Sequence, residues 1–209
     1  WDAPGHGSSQ PLALARPTIG DYADEFVAVL DNAGIERTIV IGQSMGGLVA
    51  QHLIRRHPER VVALVVIGST PIAFRRSIFE LLALRAVAGS FRWWPQGYLR
   101  RVTAKSTALH EDVRAYAFDA VSNIDRRTLV TIYQAVPTAL RRHGFPDFRI
   151  EVPFLLAHGQ YDRTGTIAKD GPRWAATDPR IDYVVVPDAG HNANQDNPEA
   201  FNSALTWFL

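Results

Sequence analysis

The 209-residue sequence contains no cysteine, and its single methionine is Met45. The lack of cysteine excludes disulfide frameworks, thiolate nucleophiles and cysteine-ligated zinc or iron–sulfur sites. No hydrophobic run approaches the roughly 20 residues that a membrane-spanning helix needs. The 22 basic and 21 acidic residues leave a formal net charge of +1, which gives no general attraction to nucleic acid or anionic membranes. We therefore expect no nucleic-acid partner and no membrane span; the oligomeric state stays open.

The first 34 residues predict a loop followed by a helix. Residues 1–17 are rich in Gly, Pro and Ser, as is typical of loops. Thr18 is placed to cap a helix, with Asp21 three residues later, and Gly34 marks the end of that helix. The sequence begins at Trp1 within a polar turn and without an initiator methionine, so we expect a segment to precede it.

Short apolar, β-branched runs predict four buried strands, at Thr38–Ile41, Val61–Ile67, Val152–Ala157 and Tyr183–Val186. Helices are predicted at Leu48–His57, at Arg173–Thr177 after an interruption at Asp170-Gly171-Pro172, and from Pro198 onward with Asn197 as the cap. Alternating strands and helices favour parallel pairing with helices on both faces of the sheet.

Residues 71–149, called the insertion below, predict helices without convincing strands. The predicted helices are Ile78–Val87, Leu99–Thr107, Glu111–Ser122 and Arg127–Arg142. The insertion holds 13 Lys or Arg residues against 6 Asp or Glu residues, a local charge of +7. The sequence thus predicts an α/β fold with a mostly parallel sheet, in which core segments 1–70 and 150–209 flank a helical insertion.

The pattern Gly42-x-Ser44-x-Gly46 lies between a predicted strand and a predicted helix, the setting of a nucleophile elbow. Such a turn forces the serine backbone into a strained conformation, and side chains at positions 42 and 46 are expected to collide with neighbouring backbone. The following helix directs its amide end toward developing negative charge. The sequence therefore predicts Ser44 as a nucleophile; the alternative is a chance glycine-rich turn.

A serine hydroxyl needs a base, and His191 is the favoured candidate among the seven histidines. It lies in the loop after the last predicted strand, where open parallel sheets place their sites. His52 and His57 are expected to be surface or packing residues, and His158 to serve packing at a strand end. His110 and His143 have no partner nearby in sequence.

An orienting acid is predicted at Asp162, in the loop directly after Val152–Ala157. The chain order Ser44, Asp162, His191 is one of the known orders of a serine triad. The alternative for Asp162 is a turn cap or a partner of Arg163. The loop after Ile67 offers no carboxylate.

Three segments together resemble the α/β-hydrolase superfamily: Gly42-Gln43-Ser44-Met45-Gly46-Gly47, the His158–Asp162 stretch, and the His191 loop before Asn197-Pro198. Residues 2–9 also resemble the loop after that family's fourth strand. The resemblance covers the chain except the insertion, which falls where these enzymes carry a helical cap. It is specific for the superfamily and weak for any subfamily.

The resemblance implies Ser44 as nucleophile, His191 as general base and acid, Asp162 as the orienting carboxylate and the Met45 N–H as one oxyanion donor. The family's second donor comes from a loop after its third strand. No such segment precedes Asp2, and Gly5-His6-Gly7 lies in the later loop. We expect that third strand to lie beside Thr38–Ile41, and expect the 209-residue chain alone to fold poorly and be nearly inactive.

A serine at position 44 favours acyl chemistry over the epoxide or halide displacement of relatives that use a carboxylate. The resemblance implies a cofactor-independent, metal-free serine hydrolase that cleaves an ester-like bond in a small or medium, apolar substrate. Alternatives are a C–C bond hydrolase or perhydrolase with the same residues, or a ligand-sensing homologue without turnover. We take a cytoplasmic location as the expectation.

The insertion carries many aromatic residues, including Phe91, Trp93, Trp94 and Tyr133. They could line an apolar substrate cavity, but we favour the interpretation that most form the insertion's own core. Its paired arginines, such as Arg100-Arg101 and Arg141-Arg142, are interpreted as solvated helix faces; an acidic substrate or partner is the alternative.

Overall fold

Four parallel strands form the sheet in a computed structural model that describes all 209 residues. The strands are β1 (Thr38–Gln43), β2 (Val61–Ile67), β3 (Phe154–Gly159) and β4 (Ile181–Val186). They are ordered β1-β2-β3-β4, and each neighbouring pair is parallel. The predicted parallel sheet is therefore confirmed, with β3 ending two residues later than predicted and β4 beginning two residues earlier.

Nine helices accompany the sheet: α1 (Ile19–Asn32), α2 (Met45–Arg56), α3 (Ile78–Ser90), α4 (Gln96–Thr107), α5 (Glu111–Ser122), α6 (Arg126–Ala135), α7 (Ile167–Ala175), α8 (Ala193–Asp196) and α9 (Pro198–Phe208). The caps are as predicted: Thr18 and Asp21 form a reciprocal capping box, and Asn197 accepts a hydrogen bond from the Ala200 N–H. None of these helices is both long and apolar enough to cross a membrane.

Several predicted helical bounds shift by up to three residues, and predictions for two helices differ more strongly from the structure, one of them because of a proline. The helix predicted over Arg127–Arg142 ends at Ala135, because Pro137 has no N–H to continue it and the chain forms a 3₁₀ turn over Val136–Ala139. The predicted interruption at Asp170-Gly171-Pro172 is absent, since α7 runs through Pro172. Pro172 removes one helical hydrogen bond there, and burial of Ile167 and Trp174 offsets that loss.

Strand β2 is apolar throughout, and from Ala63 to Ile67 both of its faces are buried. Leu64 and Val66 pack into the larger core cluster with α1 and α2. Val65 and Ile67 point to the opposite face, into a smaller cluster that includes Phe201 of α9. Each such fully buried side chain contributes about 1.5–3 kcal/mol. Strand β2 lies in the interior of the sheet. Because all strands are parallel, the loops that follow them lie at the same end of the sheet.

Strand β1 forms one edge of the sheet. Its residues Ile39 and Ile41 are 42% and 50% exposed, whereas Val40 on the opposite face is buried. An exposed apolar strand edge is a site for pairing with another strand. The expectation of a further strand beside β1, and of poor folding without it, stays a prediction.

Helices α3–α6 all lie in the insertion, between β2 and β3. Phe91 contacts both Trp94 and Tyr133 at ring-centroid distances of 5.0 and 4.8 Å. These rings border a small cluster built on Leu99 and neighbouring residues of the insertion. The interpretation as a local core therefore agrees with the contacts of Phe91, Trp94 and Tyr133 but not with Trp93, which is 75% exposed.

Candidate active site

Ser44 occupies a strained turn between β1 and α2. Its backbone has φ 53° and ψ −114°, a left-handed conformation that residues with a side chain rarely adopt. The Ser44 N–H donates to the Ile67 carbonyl at the end of β2, with a distance of 2.8 Å. The neighbouring strand thus helps to hold the turn in which the hydroxyl is presented.

Close contacts, with backbone at Gly42 and with a side chain at Gly47, explain two of the three glycines around Ser44. A Cβ at Gly42 would lie 2.4 Å from the Gly46 carbonyl oxygen, and one at Gly47 would lie 2.6 Å from the Ser69 Cβ. A Cβ at Gly46 would meet no atom within 4 Å. The expected collision at position 46 is therefore wrong, and the constraint falls on position 47, where the helix passes the loop after β2.

His191 lies in the loop between β4 and α8 and connects two of the predicted site residues. Its Nε2 is 2.7 Å from the Ser44 Oγ, and its Nδ1 is 2.9 Å from the Asp162 Oδ2. In a neutral imidazole, Nδ1–H donates to the carboxylate and leaves Nε2 to accept from the serine hydroxyl. The three predicted residues are thus brought together in one hydrogen-bonded chain.

Asp162 follows β3 and is 5% exposed. Burial alone would raise the pKa of Asp162, but the hydrogen bonds from His191 and Thr164 outweigh burial and hold it below the usual range. The Thr164 N–H donates to the second carboxylate oxygen at 2.8 Å. Asp162 is therefore ionised at neutral pH and fixes the orientation of the imidazole.

Two residues that sequence reasoning missed hold the His191 loop in place. The Gln43 amide donates to the His191 carbonyl and to the Asn192 Oδ1, both at 3.2 Å. The buried Asp196 carboxylate accepts from the Gly190 N–H at 2.8 Å and from the N–H groups of Leu109 and His110. The sequence shows only that Gln43 and Asp196 are polar residues beside apolar runs. That pattern does not indicate which groups they bind.

The sequence matches the model of the alpha/beta hydrolase family over residues 1–204. The chain belongs to this family. A 2-succinyl-6-hydroxy-2,4-cyclohexadiene-1-carboxylate synthase of Serratia proteamaculans is 27% identical, over 100% of this chain and 81% of that protein. A pimeloyl-[acyl-carrier protein] methyl ester esterase of Aromatoleum aromaticum is 31% identical, over 94% and 80%.

A solved thermophilic esterase of Thermogutta terrifontis shares the fold, with a TM-score of 0.81 and 23% identity over 99% of this chain and 77% of that one. The predicted superfamily and fold class are therefore confirmed. Membership of the alpha/beta hydrolase family, together with esterase relatives, supports hydrolase activity in general for this chain.

The other buried histidines of this alpha/beta hydrolase have partners away from Ser44. His52 contacts the Ala139 carbonyl through Nε2 at 3.2 Å, and His158 contacts the Tyr183 hydroxyl at 2.6 Å. His110, half-buried in the insertion, contacts the Asp188 carbonyl. No group of three or more His, Asp or Glu side chains is arranged to hold a metal ion.

A cleft of about 420 Å³ opens beside His191. The insertion supplies one wall through α4, α5 and the turn between them, and the loops after β3 and β4 supply the other. Most of the lining is polar, and none of the insertion's aromatic residues contributes to it. Tyr161 itself belongs to the loop after β3.

Proposed function

We propose that this alpha/beta hydrolase is a cofactor-independent serine hydrolase that cleaves an ester-like bond through an acyl-enzyme. The supporting observation is the continuous contact from Ser44 Oγ through His191 to Asp162, with distances of 2.7 and 2.9 Å. A serine hydroxyl on a strained elbow, a base within hydrogen-bond reach and a buried orienting carboxylate form the arrangement that nucleophilic catalysis requires.

In the first half-reaction, the Ser44 hydroxyl oxygen attacks the substrate carbonyl while His191 Nε2 takes its proton. The resulting oxyanion accepts a hydrogen bond from the Met45 N–H, which begins α2 and has no intrahelical acceptor. Collapse of the tetrahedral intermediate breaks the bond to the leaving alcohol, which receives the proton from His191. Asp162 keeps the proton on Nδ1 and stabilises the imidazolium that forms.

In the second half-reaction, His191 Nε2 takes a proton from water, whose oxygen attacks the acyl carbonyl. The bond between the acyl carbon and Ser44 Oγ breaks, the proton returns to Ser44, and the carboxylic acid leaves. We propose that the insertion acts as a cap over this site, because its α4–α5 turn contacts the His191 loop through Asp196. The cytoplasmic location stays a prediction.

Labelling of the full-length protein with a fluorophosphonate tests the nucleophile directly, and the kinetic tests below use the same protein. We expect one label per chain on Ser44, and no label in Ser44→Ala. Ser203→Ala, an exposed serine on α9, serves as the matched control and is expected to label normally. Labelling that persists in Ser44→Ala would show that another residue is the nucleophile.

Steady-state release of p-nitrophenol from p-nitrophenyl butyrate separates the proposal from its alternatives. An esterase gives many turnovers, whereas a ligand-sensing homologue gives a single burst of about one equivalent. A C–C hydrolase or a perhydrolase with the same residues would label at Ser44, yet turn over a diketone, or acetate with peroxide, faster than the ester. These alternatives stay open because they use the same three residues.

A further inference from the structure

The cleft beside His191 contains three basic side chains from three separate segments. Lys105 lies near the end of α4, Arg114 lies on α5, and Arg163 follows Asp162 in the loop after β3. Arg163 lies outside the positively charged insertion, so the basic character of the cleft is more than a by-product of the insertion's composition. All three side chains line the same cleft as His191.

None of these three side chains forms an ion pair within the protein, although ten ion pairs or His–carboxylate contacts occur elsewhere. The neighbouring carboxylates have other partners: Asp162 accepts from His191 and Thr164, and Asp196 accepts from backbone N–H groups. No carboxylate lines the cleft. The lining of the cleft itself therefore has a net positive charge.

Arg114 is held in position for an external anion. It is partly buried, and its Nε donates to the Ala108 carbonyl at 2.9 Å, which fixes the plane of the guanidinium. Its two terminal nitrogens have no acceptor within the protein. A guanidinium fixed in this way can donate two parallel hydrogen bonds to a carboxylate, a stronger interaction than one between neutral groups.

We infer that this cleft binds a carboxylate group of the substrate, so that the ester cleaved at Ser44 belongs to a small molecule with an anionic end. This inference rests on the proposed function. His191 both lines the cleft and contacts Ser44 Oγ, so the cleft borders the site, and the inference requires a short substrate to extend from Ser44 past His191 to the basic side chains. Monoesters of short dicarboxylic acids have this chemistry.

The inference narrows the apolar substrate expected from the sequence, since it adds an anionic group at a defined end. A carboxylate placed among three cations in a partly enclosed cleft relieves their mutual repulsion as well as forming hydrogen bonds. The expected gain is about tenfold in kcat/KM, which corresponds to roughly 1.4 kcal/mol.

The test compares p-nitrophenyl hydrogen glutarate with p-nitrophenyl pentanoate, which has an acyl chain of the same length but no charge. The protein is expected to prefer the anionic ester by about tenfold in kcat/KM, mainly through a lower KM. Arg114→Gln and Arg163→Gln are each expected to remove most of that preference. Arg101→Gln, an exposed change on α4 outside the cleft, is the matched control and is expected to keep it.

The neutral ester distinguishes failure of this inference from failure of the proposed function. Turnover of both esters without preference, or a preference unaffected by Arg114→Gln and Arg163→Gln, overturns the carboxylate site while leaving Ser44 hydrolysis intact. If neither ester is turned over and fluorophosphonate does not label Ser44, the proposed function fails. Calorimetry with glutarate then decides the site: binding lost in Arg114→Gln supports it, and no binding overturns it.

Discussion

The end of the sheet that holds Ser44, Asp162 and His191 is built differently from the insertion. Asp162 and His191 are about 95% buried, and each has defined hydrogen-bond partners supplied by neighbouring strand ends. The insertion is a set of short helices with much apolar surface exposed, including Phe79 and Trp93 at 80% and 75%. The comparison indicates that the strand ends fix the positions of the three predicted site residues, whereas much of the insertion's apolar surface is left exposed.

The insertion contacts the rest of the protein through apolar residues of the main core, such as Ile72, Leu81 and Leu140, and through a few polar interactions. Arg76, just before α3, forms a 2.8 Å ion pair with Asp170 of α7, and both side chains are more than 90% buried. At the α4–α5 turn, Thr107 accepts from the Asn192 N–H at 2.6 Å, beside the contacts of Asp196. Substitutions at the end of the sheet should therefore lower kcat, and substitutions at these contacts should lower the free energy of unfolding.

The largest effect is expected from His191→Ala. Loss of the base leaves the Ser44 hydroxyl without a proton acceptor, so kcat for p-nitrophenyl butyrate should fall about 10⁴-fold or more. His143→Ala changes an exposed histidine of the insertion and should leave kcat unchanged. Equal activity in both variants would place the base elsewhere.

Asp162→Asn should lower kcat by roughly 10³–10⁴-fold, because an amide at this position can favour the wrong imidazole tautomer. The site geometry is otherwise retained, so KM should change little. Steady-state kinetics on the neutral ester measure both constants. Retained kcat would mean that another group orients His191.

Asp170→Asn provides the matching test, since Asp170 is as buried as Asp162 but contacts the insertion instead of His191. The change leaves Arg76 as a buried cation with a weakened partner, and should lower the free energy of unfolding by about 3 kcal/mol. Denaturant unfolding at neutral pH measures the effect, and kcat of the folded fraction should stay within a few-fold of the parent. A large loss of kcat with unchanged stability would reverse the distinction between the two aspartates.

His52 links α2 to the end of the insertion and should make stability depend on pH. Burial and the nearby Arg55, Arg56 and Arg141 lower the pKa of His52 to about 4, against the opposing effect of its contact with Ala139. The unfolded chain binds this proton near pH 6.5, so the free energy of unfolding falls as pH decreases from 6.5 to 4.

The full contribution of His52 is about 3 kcal/mol, present above pH 6.5 and lost by pH 4. His52→Gln keeps an N–H donor for the Ala139 carbonyl but does not titrate, so its unfolding free energy should vary less over this interval. Urea unfolding at several pH values checks the difference. An equal pH dependence in both proteins would contradict the lowered pKa.

Local sequence signals predicted the strands, the caps at Thr18 and Asn197, and the convergence of the three site residues. These predictions succeeded because a strand end, a glycine-rich turn and an apolar run each depend on only a few neighbouring residues. The catalytic roles of Ser44, Asp162 and His191 stay predictions, although the structure brings these side chains together.

Contacts between distant segments could not be predicted in this way. Nothing near Gln43 or Asp196 in sequence indicates that their partners lie in the His191 loop and the insertion. The same holds for the cleft. The charge of +7 in residues 71–149 follows from the sequence, but the fold alone brings Lys105 and Arg114 into one cleft with Arg163.

The most direct test of the central claim is to locate the acyl group on the protein. The enzyme is mixed with p-nitrophenyl butyrate, quenched in acid within the first turnover, digested and analysed by peptide mass spectrometry. We predict one butyryl group on Ser44, absent from Ser44→Ala and still formed, more slowly, in Asp162→Asn. A butyryl group on another residue, or steady ester turnover by Ser44→Ala, would contradict the account.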